Sequence, residues 1–385
     1  MELGFVDDDG VDAALLVGLT GLTGVNSVVD ILRGEDKDGK SVNPSGRTAD
    51  TYAYDISSAP SSVNSGYGGA VKYTGLPTSN SYSKNYYDAY IDYYEGIYVG
   101  YKWYETADEE GYIDYDKTVQ YPFGYGLSYT EFEYSIEAIL VNDKPQTGSK
   151  TTLGKNDKIK IFVNVKNVGE RAGKEVVQLY YTSPYTTGGI EKSHVVLGAF
   201  AKTAEIKPGE SDTVTLTMKV RDMASYDYSD KNNNGFKGYE LESGSYSVKI
   251  ASNAHDEGTA FTYTLENGVK YKTDEVTGTT VKNLFDDVSG RITKYLSRAD
   301  FEGTFPKKLT DEDMVVTKAL TDTFNYKLSD TSADPWYTTE KPVQQAKSLA
   351  ENQTKVKLYE LIGKDFDDPK WDELLDQLTV DEMVR

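Results

Sequence analysis

Cysteine is absent from the 385 residues. That excludes disulfides, thiol catalysis and cysteine-ligated metals. Histidine is nearly absent: His194 and His255 are the only two, which disfavours histidine metal sites and catalytic triads. Long hydrophobic runs are missing as well. The longest, residues 13–19, is interrupted by Gly18 and is far short of the ~20 apolar residues that span a bilayer. Positive charge is in deficit, with a net −21 that would repel phosphate backbones. The expected partners therefore include no nucleic acid and no membrane. The start, MELGFVDDDG, is acidic where a secretory signal carries a basic region. A cytoplasmic bacterial location is expected, and secretion stays open because the true N-terminus of the protein could lie upstream.

Tyrosine is abundant, at 32 residues against 12 Phe and 3 Trp. An apolar ring with a polar tip suits domain interfaces and sugar sites, and interface packing is the simpler of the two readings. The densest stretch is residues 121–134, YPFGYGLSYTEFEY. Pro122 fixes φ, while Gly124 and Gly126 permit backbone shapes that other residues avoid, so large rings should pack around an irregular crossing between domains.

Length suggests two or three domains. Near the N-terminus, residues 11–17 (VDAALLV) read as a strand buried on both faces. Val25, Val28, Val29 and Leu32 follow at helical spacing, and Gly34 ends the helix. One parallel strand cannot stand alone, so this βα unit implies a larger α/β domain. Residues 41–120 are polar and rich in Ser, Gly and Tyr, with a short strand expected over residues 97–103. From Phe132 to about Glu266 the period becomes two: Ile159, Ile161, Val163 and Val165; Val214, Leu216 and Met218; Tyr246, Val248 and Ile250; with Val177, Leu179 and Tyr181 supplying another strand. Turn signals at residues 167–169, 207–209, 232–235 and 243–244 separate them. This predicts an antiparallel β-sandwich.

A short helix is expected near residues 284–296 and another within 338–362. Asp368 and Pro369 read as N-cap and first helical position, with Trp371, Leu374, Leu375 and Leu378 on one face. Thr379-Val380-Asp381-Glu382 is a capping box, and the chain stops three residues later. A helix capped but not built implies a partial chain. Both ends should expose apolar surface for absent partners.

Two polar features bear on chemistry. Asp230-Lys231-Asn232-Asn233-Asn234-Gly235 matches the first half of a calcium loop. The full loop needs Glu at its twelfth position, where Leu241 stands between Glu240 and Glu242. An Asn/Gly hairpin turn is the simpler reading, so no metal is assigned, and Asp230, Asn232 and Asn234 remain calcium candidates. Glu95, set among tyrosines, reads as a sugar-subsite carboxylate or, more simply, as a structural one pairing Lys102 or capping a turn. No nucleophile elbow or phosphate loop occurs. The glycines of residues 66–69 and of TGLTG lack the spacing such sites need.

Five pieces, in order, resemble glycoside hydrolase family 3, the β-glucosidase and β-xylosidase family. They are the βα unit with Asn43-Pro44-Ser45-Gly46-Arg47; residues 94–104 (YEGIYVGYKWY); residues 121–129 (YPFGYGLSY); the sandwich with GKEVVQLYY, LGAF, KPGES and GSYSV; and residues 372–384 (DELLDQLTVDEMV). The resemblance implies a multidomain fold, α/β plus all-β. Residues 1–121 would be the C-terminal part of an α/β sandwich domain with the Tyr-rich region, and 122–266 a fibronectin type III-like β-sandwich. Residues 267–335 would be a linker, and 336–385 a helical tail beginning the catalytic (β/α) barrel. The order resembles the inverted minority of the family, whose linker NLFDD (283–287) and YLSRADFEGTFP (295–306) look like. Retaining glycosidases need two carboxylates about 5–5.5 Å apart. The resemblance places the nucleophile in an SDW-like motif that is absent here, and the acid/base upstream of Val11. No catalytic residue is therefore assigned, substrate-binding residues are unknown, and no cofactor is expected. The function implied is a partial chain of a retaining enzyme that removes terminal β-linked glucose or xylose, inactive alone. Its partners would be a β-glucoside or oligosaccharide substrate and the missing barrel and α/β segments. The alternative is a non-catalytic carbohydrate-binding or adhesive β-sandwich.

Overall fold

The computed structural model describes residues 2–63, 93–146, 150–283, 294–308, 310, 356–365 and 367–377. The chain divides into two units, Met1–Thr323 and Phe324–Arg385.

In the first unit, chain order gives α1 (Val25–Arg33), β1 (Tyr52–Ala53), α2 (Tyr101–Glu109), α3 (Tyr115–Thr118), β2 (Val119–Tyr121) and β3 (Phe132–Val141). Next come β4 (Lys144–Pro145), β5 (Lys150–Thr152), β6 (Lys158–Asn167), β7 (Val176–Thr182), β8 (Val196–Lys202) and β9 (Ser211–Lys219). The run closes with β10 (Ser225–Asp227), β11 (Gly238–Leu241), β12 (Gly244–Ala251), β13 (Thr259–Leu265), β14 (Val269–Tyr271) and α4 (Phe301–Thr304). One sheet has order β5-β13-β12-β7-β8, and the facing sheet β4-β3-β6-β9. Their pairings are antiparallel except β13 with β5. The period-two sets fill the space between the sheets. Ile159, Ile161, Val163, Val165, Leu179 and Val248 are all buried in one core with Leu216, Met218 and Tyr246. Each such side chain contributes about 1.5–3 kcal/mol by leaving water. The predicted sandwich is therefore present.

Two irregularities keep its faces in phase. In β3 the inward set Phe132, Tyr134, Ile136 is out of step with Ile139 and Val141, and a register shift between Ile136 and Ala138 restores the phase. In β8 the shift falls opposite Leu179/Tyr180 and leaves Gly198 unpaired against β7. A Cβ on Gly198 would lie 2.4 Å from the Met218 sulfur and 2.9 Å from Leu179, which explains the glycine of LGAF. A small sheet β10-β11-β14 closes one part of the domain, and β1 pairs with β2.

Two expectations are not met. Residues 11–17 carry no strand; they run as an exposed segment with Leu15, Leu16 and Val17 in solvent. A parallel strand needs neighbours, and no strand among the described residues pairs with it. The helix that follows does form as α1, closed by Gly34 at φ 72°. The short strand expected over residues 97–103 is instead a turn leading into α2. Gly96 and Gly100 hold φ of 57° and 56°, conformations that stop a strand and suit glycine alone. Beyond them residues 103–107 are buried without a break, on every side of the helix.

In the second unit the described residues form a 3-10 turn, Leu358–Leu361, and a helix, Lys370–Leu375. The Asp368 carboxylate accepts the Lys370 N–H at 3.0 Å, but the helix starts one residue later than expected, with Pro369 in the N-cap place. The glycines at 66–69, residues 284–293, most of the 338–362 helix, Leu378 and the capping box at 379–382 lie outside the described residues. Of the described helices, none is long and apolar enough to cross a membrane.

Candidate functional site

The motifs meet at one seam beside the sandwich. In residues 121–129, Gly124 N–H donates to the Thr48 carbonyl and Thr48 N–H to the Tyr125 carbonyl, at 2.8 and 2.7 Å. Gly124 sits at φ 86°, and a Cβ there would strike the Gln178 side chain at 2.2 Å. That side chain donates to the Gly124 carbonyl and accepts from the Tyr180 hydroxyl. The Phe123 ring stacks on Tyr101 (4.5 Å), and Tyr121 on Tyr125 (5.1 Å). The rings thus fill a boundary, as the tyrosine content suggested.

The NPSGR turn is tied to the same place. Asn43 accepts from Ser128 Oγ and Tyr129 N–H and donates to the Ala172 carbonyl. Arg47 Nη2 donates to both carboxylate oxygens of Glu175, at 2.7 and 2.6 Å. Glu175 also accepts from Tyr134 Oη and the Val176 N–H. Both side chains are buried, at 11% and 4% exposed. Sequence reading did not find this pair, whose members stand 128 residues apart.

A second buried knot joins α2 to the loop after β12. Glu105 accepts from Tyr115 Oη at 2.7 Å and faces His255 Nδ1 at 3.1 Å, and the His255 ring stacks on Tyr115 at 3.6 Å. The hydrogen bond that His255 donates to the Glu105 carboxylate raises the His255 pKa above its ordinary value. Burial opposes it, Glu105 and Asp108 add attraction, and Lys249 repels. A base whose folded pKa lies above its unfolded value near 6.5 adds stability that is complete below that value and lost as pH rises through the folded one. The melting midpoint of the chain should therefore fall more between pH 6 and 8 than that of His255→Gln. His194, which burial shifts downward, is common to both. Parallel pH curves from differential scanning calorimetry would contradict this.

A third knot holds residues 294–308 onto the seam. Glu191 accepts from Tyr98 Oη, Ser297 Oγ and the Arg298 N–H. Arg298 pairs with Glu110 at 2.6 Å and lies over the Tyr185 ring. Nearby, buried Lys192 bonds Glu242 and the Pro184 carbonyl, and desolvation, then Arg298, push its amine down to about 8. Glu95 is buried without the expected Lys102 partner: burial alone raises its carboxyl, and burial lowers the Lys102 amine.

These carboxylates are structural in what they touch. Among the described residues, cavities open elsewhere, such as one of about 650 Å³ beside β11 and β14 and another of about 480 Å³ along β8 and β9. Neither is lined by Glu95, Glu105, Glu175 or Glu191. Of the calcium candidates, Asn232 and Asn234 come together on Glu240 at the larger cavity. The Asp230 carboxylate is committed to the N–H groups of Asn234 and Gly235. Glu240 stands one position before the twelfth of the loop, which is why the motif's spacing did not single it out.

Sandwich and seam define a fibronectin type III-like domain with helical and loop attachments, and a profile of the "Fibronectin type III-like domain" matches residues 175–254. In sequence the chain is similar to β-glucosidases. A β-glucosidase of Ruminococcus albus is 35% identical over 268 residues, covering 69% of this chain and 23% of the relative. Beta-glucosidase A of Butyrivibrio fibrisolvens is 35% identical over 269 residues, covering 69% and 28%. Among solved structures, a β-glucosidase from Paenibacillus barengoltzii is 34% identical with a TM-score of 0.49, covering 64% of this chain and 23% of that one. The chain thus spans about a quarter of the length of the curated relatives it matches.

Proposed function

We propose that this chain is the bracing part of a retaining β-glucosidase-type glycoside hydrolase. The parent enzyme would remove terminal β-linked glucose or xylose, and this chain alone would not turn over. The observation that supports this is the use of the seam. Glu175 and Glu191 are saturated by Arg47, Tyr98, Ser297 and backbone N–H groups, and Glu105 by Tyr115 and His255. A glycosidase needs one carboxylate free to attack the anomeric carbon and one free to protonate the leaving oxygen. Groups bound in buried pairs do neither, but they hold segments distant in sequence at fixed places. The inverted domain order belongs to the same proposal: the seam stands in the first third of the chain and barrel-like sequence follows the sandwich.

The exposed Leu15, Leu16, Leu19, Leu22, Val25, Val29 and Leu32 form the surface on which further α/β structure would pack. The carbohydrate-binding alternative needs rings facing solvent: Tyr98, Tyr180 and Tyr246 are fully buried, but Tyr93, Tyr129 and Tyr239 are exposed. Purified chain should release no p-nitrophenol from the β-glucoside or β-xyloside above a protein-free control. Turnover above it would refute the proposal. Retarded migration in gels containing laminarin, xylan or cellulose would favour the alternative.

A further inference from the structure

The dipeptide Asn-Gly occurs twice in the chain, at Asn234-Gly235 and at Asn267-Gly268. In either, the backbone nitrogen after the asparagine can attack the asparagine's own side-chain amide. Glycine has no Cβ, so that nitrogen is open to approach. The surroundings differ. The Gly235 N–H donates to both oxygens of the Asp230 carboxylate, at 3.2 and 3.1 Å. The Asn234 amide is held at each end: its oxygen accepts the Phe236 N–H at 3.1 Å, and its nitrogen donates to Glu240 at 2.8 Å. Nucleophile and target are both tied down there. Asn267 and Gly268 instead lie exposed in the turn between β13 and β14. Among the described residues, neither the Asn267 side chain nor the Gly268 N–H makes a hydrogen bond.

We propose that Asn267 is a site of spontaneous deamidation, and that the fold protects Asn234 from the same reaction. The Gly268 nitrogen bonds to Cγ of Asn267, the Cγ–Nδ2 bond breaks, and ammonia leaves with the proton of that nitrogen. Water then opens the five-membered imide at either carbonyl. One opening gives aspartate. The other gives isoaspartate, in which the main chain runs through Cβ and Cγ and is one carbon longer. Both products carry a new negative charge. The turn has little room for the longer chain. Leu265 pairs with Gly244 and Val269 with Leu241, so Glu266, Asn267 and Gly268 alone span the gap. A Cβ on Gly268 would already stand 3.2 Å from the Leu241 carbonyl oxygen. Gly268 lines the same cavity as Glu240 and Glu242, so the new carboxylate forms near like charge. Isoaspartate at this position loosens the joint between the sandwich and the small sheet.

The full chain, stored in mildly alkaline buffer, would be followed by peptide mass spectrometry. The peptide holding Asn267 should gain one dalton, with isoaspartate among its products. The peptide holding Asn234 should gain it roughly ten- to a hundredfold more slowly, because a hydrogen bond to a charged acceptor must break first. In concentrated urea the two rates should converge. The isoaspartate form, separated by ion exchange, should melt a few degrees below the fresh chain. Asn267→Gln, whose longer side chain closes the ring poorly, should neither gain mass there nor lose midpoint on storage. Equal rates at the two sites in the folded chain would overturn the proposal. So would a difference that persists in urea, which would trace it to neighbouring sequence, or an isoaspartate form with an unchanged midpoint.

Discussion

Arg47→Ala should destabilise the first unit by about 3–5 kcal/mol, because it leaves the Glu175 carboxylate buried without its cation. The guanidinium approaches both oxygens of a side chain only 4% exposed. Water cannot readily replace it, so the loss exceeds that of a surface pair, which is at most about 1 kcal/mol. The remaining partners, Tyr134 Oη and the Val176 N–H, are neutral donors. Arg47→Met with Glu175→Leu removes both charges and fills the same space. It should cost much less than the two single changes added together, since no unpaired charge remains. Urea unfolding followed by circular dichroism would read both. A single-variant loss under about 1 kcal/mol would show that Arg47 merely decorates the seam. The interaction matters beyond stability, because it fastens the NPSGR turn to the start of β7. Loosening it should free residues 43–48 to protease before the sandwich unfolds.

The sandwich was legible because its chemistry is local. Alternation in β6, β9 and β12 states which side chains face inward, and burial then follows strand by strand. The two bulges were not legible, since an interrupted alternation reads equally as a strand end. The seam was visible as an anomaly of composition, with rings, glycines and Pro122 together, but its partners were not. Arg47 finds Glu175, Tyr98 finds Glu191, and Glu105 finds His255, all across separations that no periodicity encodes. α2 was misread because Ile97, Val99, Tyr101 and Trp103 alternate like a strand. Gly100 at φ 56° ends that pattern, and the unbroken burial of residues 103–107, polar Glu105 and Thr106 included, shows no strand alternation. In the Asp230 loop, the meeting of Asn232 and Asn234 with Glu240 was not legible either, since spacing along the chain does not state proximity in space.

Trp103→Ala should be as damaging as the loss of Arg47, at about 3–5 kcal/mol, but for a reason of packing. Trp103 is fully buried, and its indole N–H donates to the Ser58 carbonyl at 3.0 Å. Its ring meets Tyr112, Phe301 and Phe305 with centroids 5.7, 5.0 and 5.7 Å away. Those contacts hold together three stretches: the turns after β1, the α2–α3 region, and α4 with its flanks. They share a small core with Ala53, Tyr98, Tyr115, Val119 and Leu296. A core so small has few side chains to collapse into the void, so most of the cavity cost should remain. Trp103→Phe keeps much of the ring but strands the Ser58 carbonyl, and a smaller loss of about 1–3 kcal/mol follows. The sandwich core shares no residue with this cluster. Calorimetry should therefore show the Trp103→Ala chain melting in two steps, the early one accompanied by cleavage within residues 294–308 under limited proteolysis. A single unshifted transition, with that segment still protected, would mean that the ionic knots at Glu191 and Arg298 suffice to hold it and that the aromatic cluster is not what binds α4 to the domain.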